Sequence, residues 1–282
     1  MKNMPIYGGV IAHGIPEFRL NPSILENTIS KILDLGINVK YNTELEKDIL
    51  LSDLESEYDA IFLSFGKNIS STMGIVGEEL NGVLGGNELL ENKNYPNFKG
   101  KTVVVSGGGN VAMDTCRTIK RLGASKVYVV YRRSELEMPA EEIEIKEAKE
   151  DKVEFLFQTN LIKILGKDKV EKIECIKTEL VEKEGETRKV PINIEGSNFT
   201  IDTDYVVMAV GSKTDEALLN KLGLKLTNKE TIAIDENYKT SKEKIFAGGE
   251  LGGSKGTIAW AARAGRDAAN SIMNYLLKEV KE

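Results

Sequence analysis

Histidine is almost missing: His13 is the only one in 282 residues. That excludes a histidine-rich metal site and most triad chemistries. The two cysteines, Cys116 and Cys175, stand far apart and form no C-x-x-C pair. A disulfide framework, a metal-ligand cluster and a dithiol relay are all disfavoured, and a reduced, cytoplasmic setting is expected. No apolar run approaches the roughly 18 residues that a spanning helix needs, and no signal-peptide pattern is present, so no membrane partner is expected. There are 38 Lys and Arg against 44 Asp and Glu, giving a formal net charge of −6. With no basic stripe, nucleic acid and anionic membranes are not expected as partners. What is present, 41% apolar and 29% charged residues, is a globular composition with length for two domains.

The most informative stretch begins at residue 102. Thr102-Val103-Val104-Val105-Ser106 runs into Gly107-Gly108-Gly109-Asn110-Val111-Ala112, a helix-like segment follows, and Lys126 to Tyr131 leads to Arg132-Arg133. The order strand, glycine turn, helix, strand predicts a dinucleotide-binding unit. Gly107 permits the tight turn, Gly109 lets backbone approach a pyrophosphate, and Ala112 keeps the helix close to the strand. The helix N-terminus near Asn110 offers unpaired N–H groups and a positive dipole end. Arg132 lies 20 residues past Ala112, where an acid would bind the ribose 2′-hydroxyl. An arginine there can grip a 2′-phosphate instead, so the pair predicts NADPH over NADH.

The remaining chain reads as further α/β structure. Asn21-Pro22-Ser23 opens an apolar-periodic helix closed by Gly36, and 37–41 alternates as a strand. Tyr58 to Gly66 and Tyr205 to Gly211 share one theme: an acid, a buried strand and a terminal glycine. They predict two similar domains. The polar segment 91–100 reads as a linker, 135–152 as a charged surface stretch with a helix from about Ala140, and 153–201 as an antiparallel meander. Ile245 to Glu250 is a strand entering a glycine turn, followed by a small-residue helix over about 257–277. Glu141, Glu142 and Glu144 fit a solvated helix face better than a metal site. The Tyr238 and Lys242 pair matches Y-x-x-x-K spacing by chance in a turn-like segment, and Gly252 to Gly256 is the loop before the last helix.

These residues carry a resemblance. Gly8-Gly9-Val10 with Gly14-Ile15-Pro16-Glu17-Phe18-Arg19-Leu20, Gly74-Ile75-Val76-Gly77-Glu78, Gly107 to Asp114, Tyr131-Arg132-Arg133, Glu137-Met138-Pro139-Ala140 and Phe246-Ala247-Gly248-Gly249 run the length of the chain. Together they resemble the small (beta) subunit of NADPH-dependent glutamate synthase and related FAD/NAD(P)-dependent oxidoreductases. The resemblance implies two interleaved three-layer, disulfide-reductase-like domains with an antiparallel meander. A partial FAD-binding domain would comprise 1–95 and 212–282, and an inserted NADP(H)-binding domain 96–211. It implies hydride transfer from NADPH to FAD and onward to iron–sulfur centres, with a large catalytic subunit or other electron acceptor as partner. Gly107, Gly108, Gly109, Asn110 and Val111 would hold the pyrophosphate, and Arg132 and Arg133 the 2′-phosphate. Gly249 and Glu250 would face the FAD ribityl and pyrophosphate, Thr257 and Ile258 would lie near the flavin ring, and Gly211 would be a further cofactor-binding residue.

The chain also departs from that pattern. It has no cysteine before Cys116 for iron–sulfur ligation and no first glycine motif for FAD. Glu250 stands where Asp is usual, and Val76 where proline is. Weak or absent FAD binding by this chain alone is therefore expected. Three readings follow: an electron-entry module complete only with further sequence, an NADPH-binding domain without turnover, and a stand-alone NADP dehydrogenase. The last requires a catalytic Tyr, Lys or His on a helix, and none is evident.

Overall fold

The run Thr102–Ser106 has an unbroken valine centre because both of its faces are covered. In a computed structural model of the protein, which describes residues 8–186 and 188–279, Val103, Val104 and Val105 are fully buried. The described chain contains α1 (Val10–His13), α2 (Pro22–Leu33), α3 (Leu51–Glu57), β1 (Ile61–Leu63), β2 (Ile69–Ser70), β3 (Val83–Gly85) and α4 (Gly86–Asn92). Then follow β4 (Thr102–Ser106), α5 (Asn110–Arg121), β5 (Lys126–Val130), α6 (Glu142–Glu150), β6 (Glu154–Leu156), β7 (Thr159–Leu165), β8 (Lys172–Val181), β9 (Val190–Asn193), β10 (Phe199–Asp202) and β11 (Tyr205–Met208). The last elements are β12 (Ser212–Lys213), α7 (Glu216–Leu222), β13 (Ile245–Ala247) and α8 (Ile258–Glu279). The chain divides into two compact units, one of residues 13–19 and 69–212, the other of the remainder.

The unit containing β4 is built on a five-stranded parallel sheet in the order β3-β11-β4-β5-β6. Side chains alternate across a strand, so successive valines serve different cores. Val103, Val105, Val207 and Val129 pack with Ala112, Met113, Cys116 and Ile119 of α5 and with Ile145 and Ala148 of α6. Val104, Val130, Val206 and Met208 pack on the other face with Leu161, Ile164, Ile173 and Cys175. That second face is covered by the meander, antiparallel in the order β10-β8-β7 with β9 also on β8. Each fully buried valine contributes about 1.5–3 kcal/mol. The predicted meander is therefore the third layer of the nucleotide unit.

Several expectations shift here. Residues 69–95, expected with the first domain, belong to this unit, because β3 pairs with β11 in register Val206 to Val83. The segment 91–100 is no free linker: Phe98 is buried and meets Tyr205 edge-on at 5.2 Å. The helix expected from Ala140 starts at Glu142, and the strand at 154–156 joins the parallel sheet rather than the meander.

In the other unit, β1 and β13 pair in parallel, Ile61 opposite Ile245. Leu51, Leu63, Leu219, Leu222, Ile232 and Leu251 form its core with them. α7 starts where Asp215 Oδ1 accepts from the Ala217 and Leu218 amides and stops at left-handed Gly223. α2 is capped by Asn21 as expected, but its last helical residue is Leu33 and its cap is Asp34, short of Gly36. The predicted strand at 37–41 does not form. Ile37, Val39 and Tyr41 are exposed, and no strand runs beside them among the described residues. Alternation alone does not make a strand without a neighbour to accept its hydrogen bonds.

Candidate functional site

The glycine turn between β4 and α5 uses its three glycines for three different reasons. Gly107 has φ +142°, and a Cβ there would lie 2.1 Å from the Ala209 carbonyl oxygen. Gly108 lies under the Tyr131 ring, which a Cβ would meet at 2.6 Å. Gly109 has no such neighbour: the nearest atom to its Cβ position is Pro139 Cγ at 3.8 Å. Its smallness is not demanded by packing within the protein, so the open space above it is free for a ligand's close approach. Gly109 is also the N-cap of the 12-residue α5, whose first amides have no partner within the helix. Space for a pyrophosphate and donors to hold it coincide there, and this fits a dinucleotide.

The second half of the turn is roofed by residues 137–140. The Ala140 amide donates to Gly108 O at 3.2 Å, and the Glu141 amide to Asn110 Oδ1 at 3.2 Å. The Asn110 side chain thus anchors this roof, while its backbone amide stays at the helix start. Met138 and Ala140 are buried against the core. Tyr131, named in the sequence only as part of the Tyr131-Arg132-Arg133 motif and given no role there, ties the two parts together: its hydroxyl donates to Glu137 O at 2.8 Å. An aromatic after a buried strand is too common a pattern to reveal that role.

Arg132 and Arg133 leave the C-terminal end of β5 at a corner whose backbone is fixed. The Thr178 hydroxyl donates to Arg132 O at 2.8 Å, and the Gln158 amide to Arg133 O at 3.0 Å. The Arg132 side chain is exposed and has no acidic partner among the described residues. Arg133 is half-buried and donates from Nε to Lys189 O at 2.9 Å, and its remaining donors have no other partner among the described residues. The nearby acids are otherwise engaged: Glu135 pairs with Lys149, and Glu137 accepts from the Ser134 amide and hydroxyl.

Behind the turn, α5 and α6 share a charge network. Arg117, with a side chain only 5% exposed, reaches Glu144, Glu147 and Asp151. Arg19 bridges Asp114 at 2.7 Å and Glu144 at 2.8 Å, and the Phe18 ring lies beneath the Arg117 and Arg121 guanidinium groups. Burial raises the Asp114 carboxyl to about 6 despite Arg19. Glu144 was expected on a solvated face; it is buried because two arginines neutralise it. Cys116 is a core residue of α5 whose thiol is pushed up by burial, so it is no nucleophile. Among the described residues no cluster of His, Cys, Asp and Glu suits a metal ion.

The other unit carries the second turn. Gly248 packs under Phe62, which a Cβ would meet at 2.8 Å, and Ala264 of α8 approaches from the other side at 3.5 Å. The small residues of α8 thus serve close packing at Ala264 and Ala268, which are buried, while 257–263 are exposed. Gly249 has φ +66° with open space at its Cβ position. Burial raises the Glu250 carboxyl, with Lys67 opposing, and the Glu250 side chain fills the space a Cβ on Gly256 would need. The Thr257 hydroxyl accepts from the Trp260 amide at 3.4 Å at the start of α8, beside exposed Ile258. In the nucleotide unit, Gly211 (φ +134°) accepts the Ser71 amide at 2.9 Å. Tyr238 lies in a turn at φ +63°, and Lys242 pairs with Glu55, so the Y-x-x-x-K spacing brings no dehydrogenase pair together.

A three-layer parallel-sheet unit with a glycine turn at its first helix, joined to a second α/β unit, defines a dinucleotide-binding oxidoreductase fold. The chain belongs to the pyridine nucleotide-disulphide oxidoreductase family, whose model matches residues 2–268. It is 35% identical over 280 residues to the NADP(+)-dependent formate dehydrogenase subunit beta of Moorella thermoacetica, covering 97% of this chain and 40% of that protein. It is 35% identical over 292 residues to the glutamate synthase [NADPH] small chain of Escherichia coli (strain K12), covering 96% and 62%. The chain thus spans less than two thirds of these relatives. Mycobacterium tuberculosis FprA, solved in complex with NADPH, has the same fold at a TM-score of 0.85 and 20% identity, over 99% of this chain and 77% of FprA. No described helix is long and apolar enough to cross a membrane.

Proposed function

We propose that the chain is an NADPH-dependent flavoprotein oxidoreductase module, taking hydride from NADPH to FAD and passing electrons to a partner subunit or other acceptor in the cytoplasm. The single observation behind this reading is the free face at Gly109, above the start of α5, on the same unit as Arg132, which has no acidic partner among the described residues. Backbone amides at Asn110 and Val111 would hold the pyrophosphate, and Arg132 with Arg133 the 2′-phosphate. Gly249 and Glu250 are proposed to face the FAD ribityl and pyrophosphate and Thr257 and Ile258 the flavin ring, and Gly211 is a separate proposed cofactor-binding residue of the nucleotide unit. When bound, the cofactors supply the hydride chemistry. The protein's part is to bind, orient and keep the thiols of Cys116 and Cys175 out of the reaction. The partner is argued from the relatives, two of which are named as a subunit and a small chain of larger enzymes.

A second reading keeps NADPH binding but not turnover by this chain alone. It is favoured by the sheet of the second unit, in which β1 and β13 are the strands paired among the described residues. One absorbance spectrum separates the two. Yellow protein that bleaches anaerobically with NADPH supports the first; colourless protein that still binds NADPH supports the second. For the nucleotide itself, Arg132→Ala with Arg133→Ala is expected to weaken NADPH roughly tenfold or more while leaving NADH nearly unchanged. Equal weakening of both would remove the 2′-phosphate assignment.

A further inference from the structure

The hairpin between β8 and β9 is exposed along its described tip residues, yet its far end is tied back to the parallel-sheet unit. Its last residues return to the corner after β5, where Lys189 O accepts from Arg133 Nε at 2.9 Å. One residue earlier, Arg188 Nη1 donates to Glu137 O at 3.3 Å, the same carbonyl that takes the Tyr131 hydroxyl. Arg188 therefore lies over the 134–137 turn that directly follows Arg132 and Arg133. Thr178, buried within β8, fixes the hairpin's base to Arg132 O, and the ladder Val181 to Val190 carries this registry to the tip.

Electrostatics make this placement matter. The hairpin holds Glu182, Glu184 and Glu186 against Lys183, Arg188 and Lys189, so it has no net excess of positive charge. Position, not composition, singles out Arg188. It is exposed, one of its donors is pinned by a backbone carbonyl, and no other partner holds its guanidinium among the described residues, so its other donors can meet an oxyanion. The acids at this corner, Glu135 and Glu137, are occupied by Lys149 and Ser134. A dianionic phosphate is the ligand chemistry that several forks at one corner recognise.

We infer that Arg188 is a further specificity residue for the nucleotide, supplied by the meander to the 2′-phosphate beside Arg132 and Arg133. The inference rests on the NADPH reading above. It makes the third layer of the unit part of the site, not only a cover for the sheet.

The test measures NADPH, NADH and adenosine 2′,5′-bisphosphate binding by the whole chain as wild type, Arg188→Ala, Arg188→Lys and Arg132→Ala. Arg188→Ala is expected to weaken NADPH and the bisphosphate roughly 3- to 10-fold, with NADH unchanged and Arg188→Lys restoring part of the loss. If Arg188→Ala weakens NADPH and NADH alike, the residue only braces the 134–137 turn and the inference falls. If it changes nothing while Arg132→Ala selectively weakens NADPH, the inference falls and the NADPH reading stands. If Arg132→Ala is also without effect, the reading itself fails.

Discussion

The two units of the chain use the same vocabulary of short parallel strands ending in glycine turns, yet they differ in how completely they are covered. In the nucleotide unit, β4 is buried on both faces, by helices on one side and the meander on the other. In the second unit, α2 buries no residue, and Ile24, Ile32, Leu35, Ile37 and Val39 are exposed. Apolar pattern states what a segment could bury; a covering layer decides whether it does. The difference separates a unit whose sheet is covered on both faces from one in which β1 and β13 are the strands paired among the described residues.

Charge pairs sharpen that contrast most strongly. Arg117 is 5% exposed and serves three acids, so Arg117→Ala leaves buried Glu144 with Arg19 alone and Asp151 with Arg121 alone, and is expected to cost about 2–3 kcal/mol. In the second unit, Lys242 and Glu55 are both about one-third exposed, and Lys242→Ala is expected to cost at most about 1 kcal/mol. Denaturant melts of both variants give the comparison. Similar losses would show that burial does not distinguish the two units.

The glycine turns provide the next test. At Gly107 an alanine meets the Ala209 carbonyl at 2.1 Å and an unfavourable φ, so Gly107→Ala is expected to destabilise by about 3 kcal/mol or more and to abolish NADPH binding. At Gly249 the conformation is left-handed but the space is open, and Gly249→Ala is expected to cost about 1 kcal/mol. Hydrogen exchange resolved by unit would read both. A larger loss at Gly249 would reverse the ranking.

Much of this was legible beforehand where one local rule sufficed. The order of β4, the glycine turn, α5 and β5 follows from spacing and from valines too continuous to face water. The charged network did not follow, because Arg19, Asp114 and Glu144 are separated by 95 and 30 residues and each is ordinary alone. Glu144 read as solvated because helical position does not show which arginines fold over it. Arg188 was invisible for the same reason: only the hairpin's return to Arg133 gives it a role. The strand at 37–41 failed in the opposite way: the alternation is there, but Ile37 and Val39 stay exposed and no strand forms.

The smallest expected effect concerns pH and lies within the covered unit. Glu91, on α4, has its carboxyl raised to about 7 by burial, with the Glu88 carboxylate adding repulsion. The unfolded carboxyl releases its proton near 4.5, so between about 4.5 and 7 the native state binds more protons than the unfolded one. Stability from this group is therefore full below about 4.5 and declines as pH rises toward 7, the reverse of a salt-bridged carboxylate. Asp114 acts in the same direction over a lower window, from 3.8 to about 6. Glu91→Gln removes the titration while keeping the shape, so it is expected to raise the melting temperature by a few degrees at pH 8. At pH 4.5 the variant and wild type should melt together. A variant that gains equally at both pH values would place the effect in packing rather than charge, and one that loses at pH 8 would mean the Glu91 carboxylate is stabilised by its surroundings.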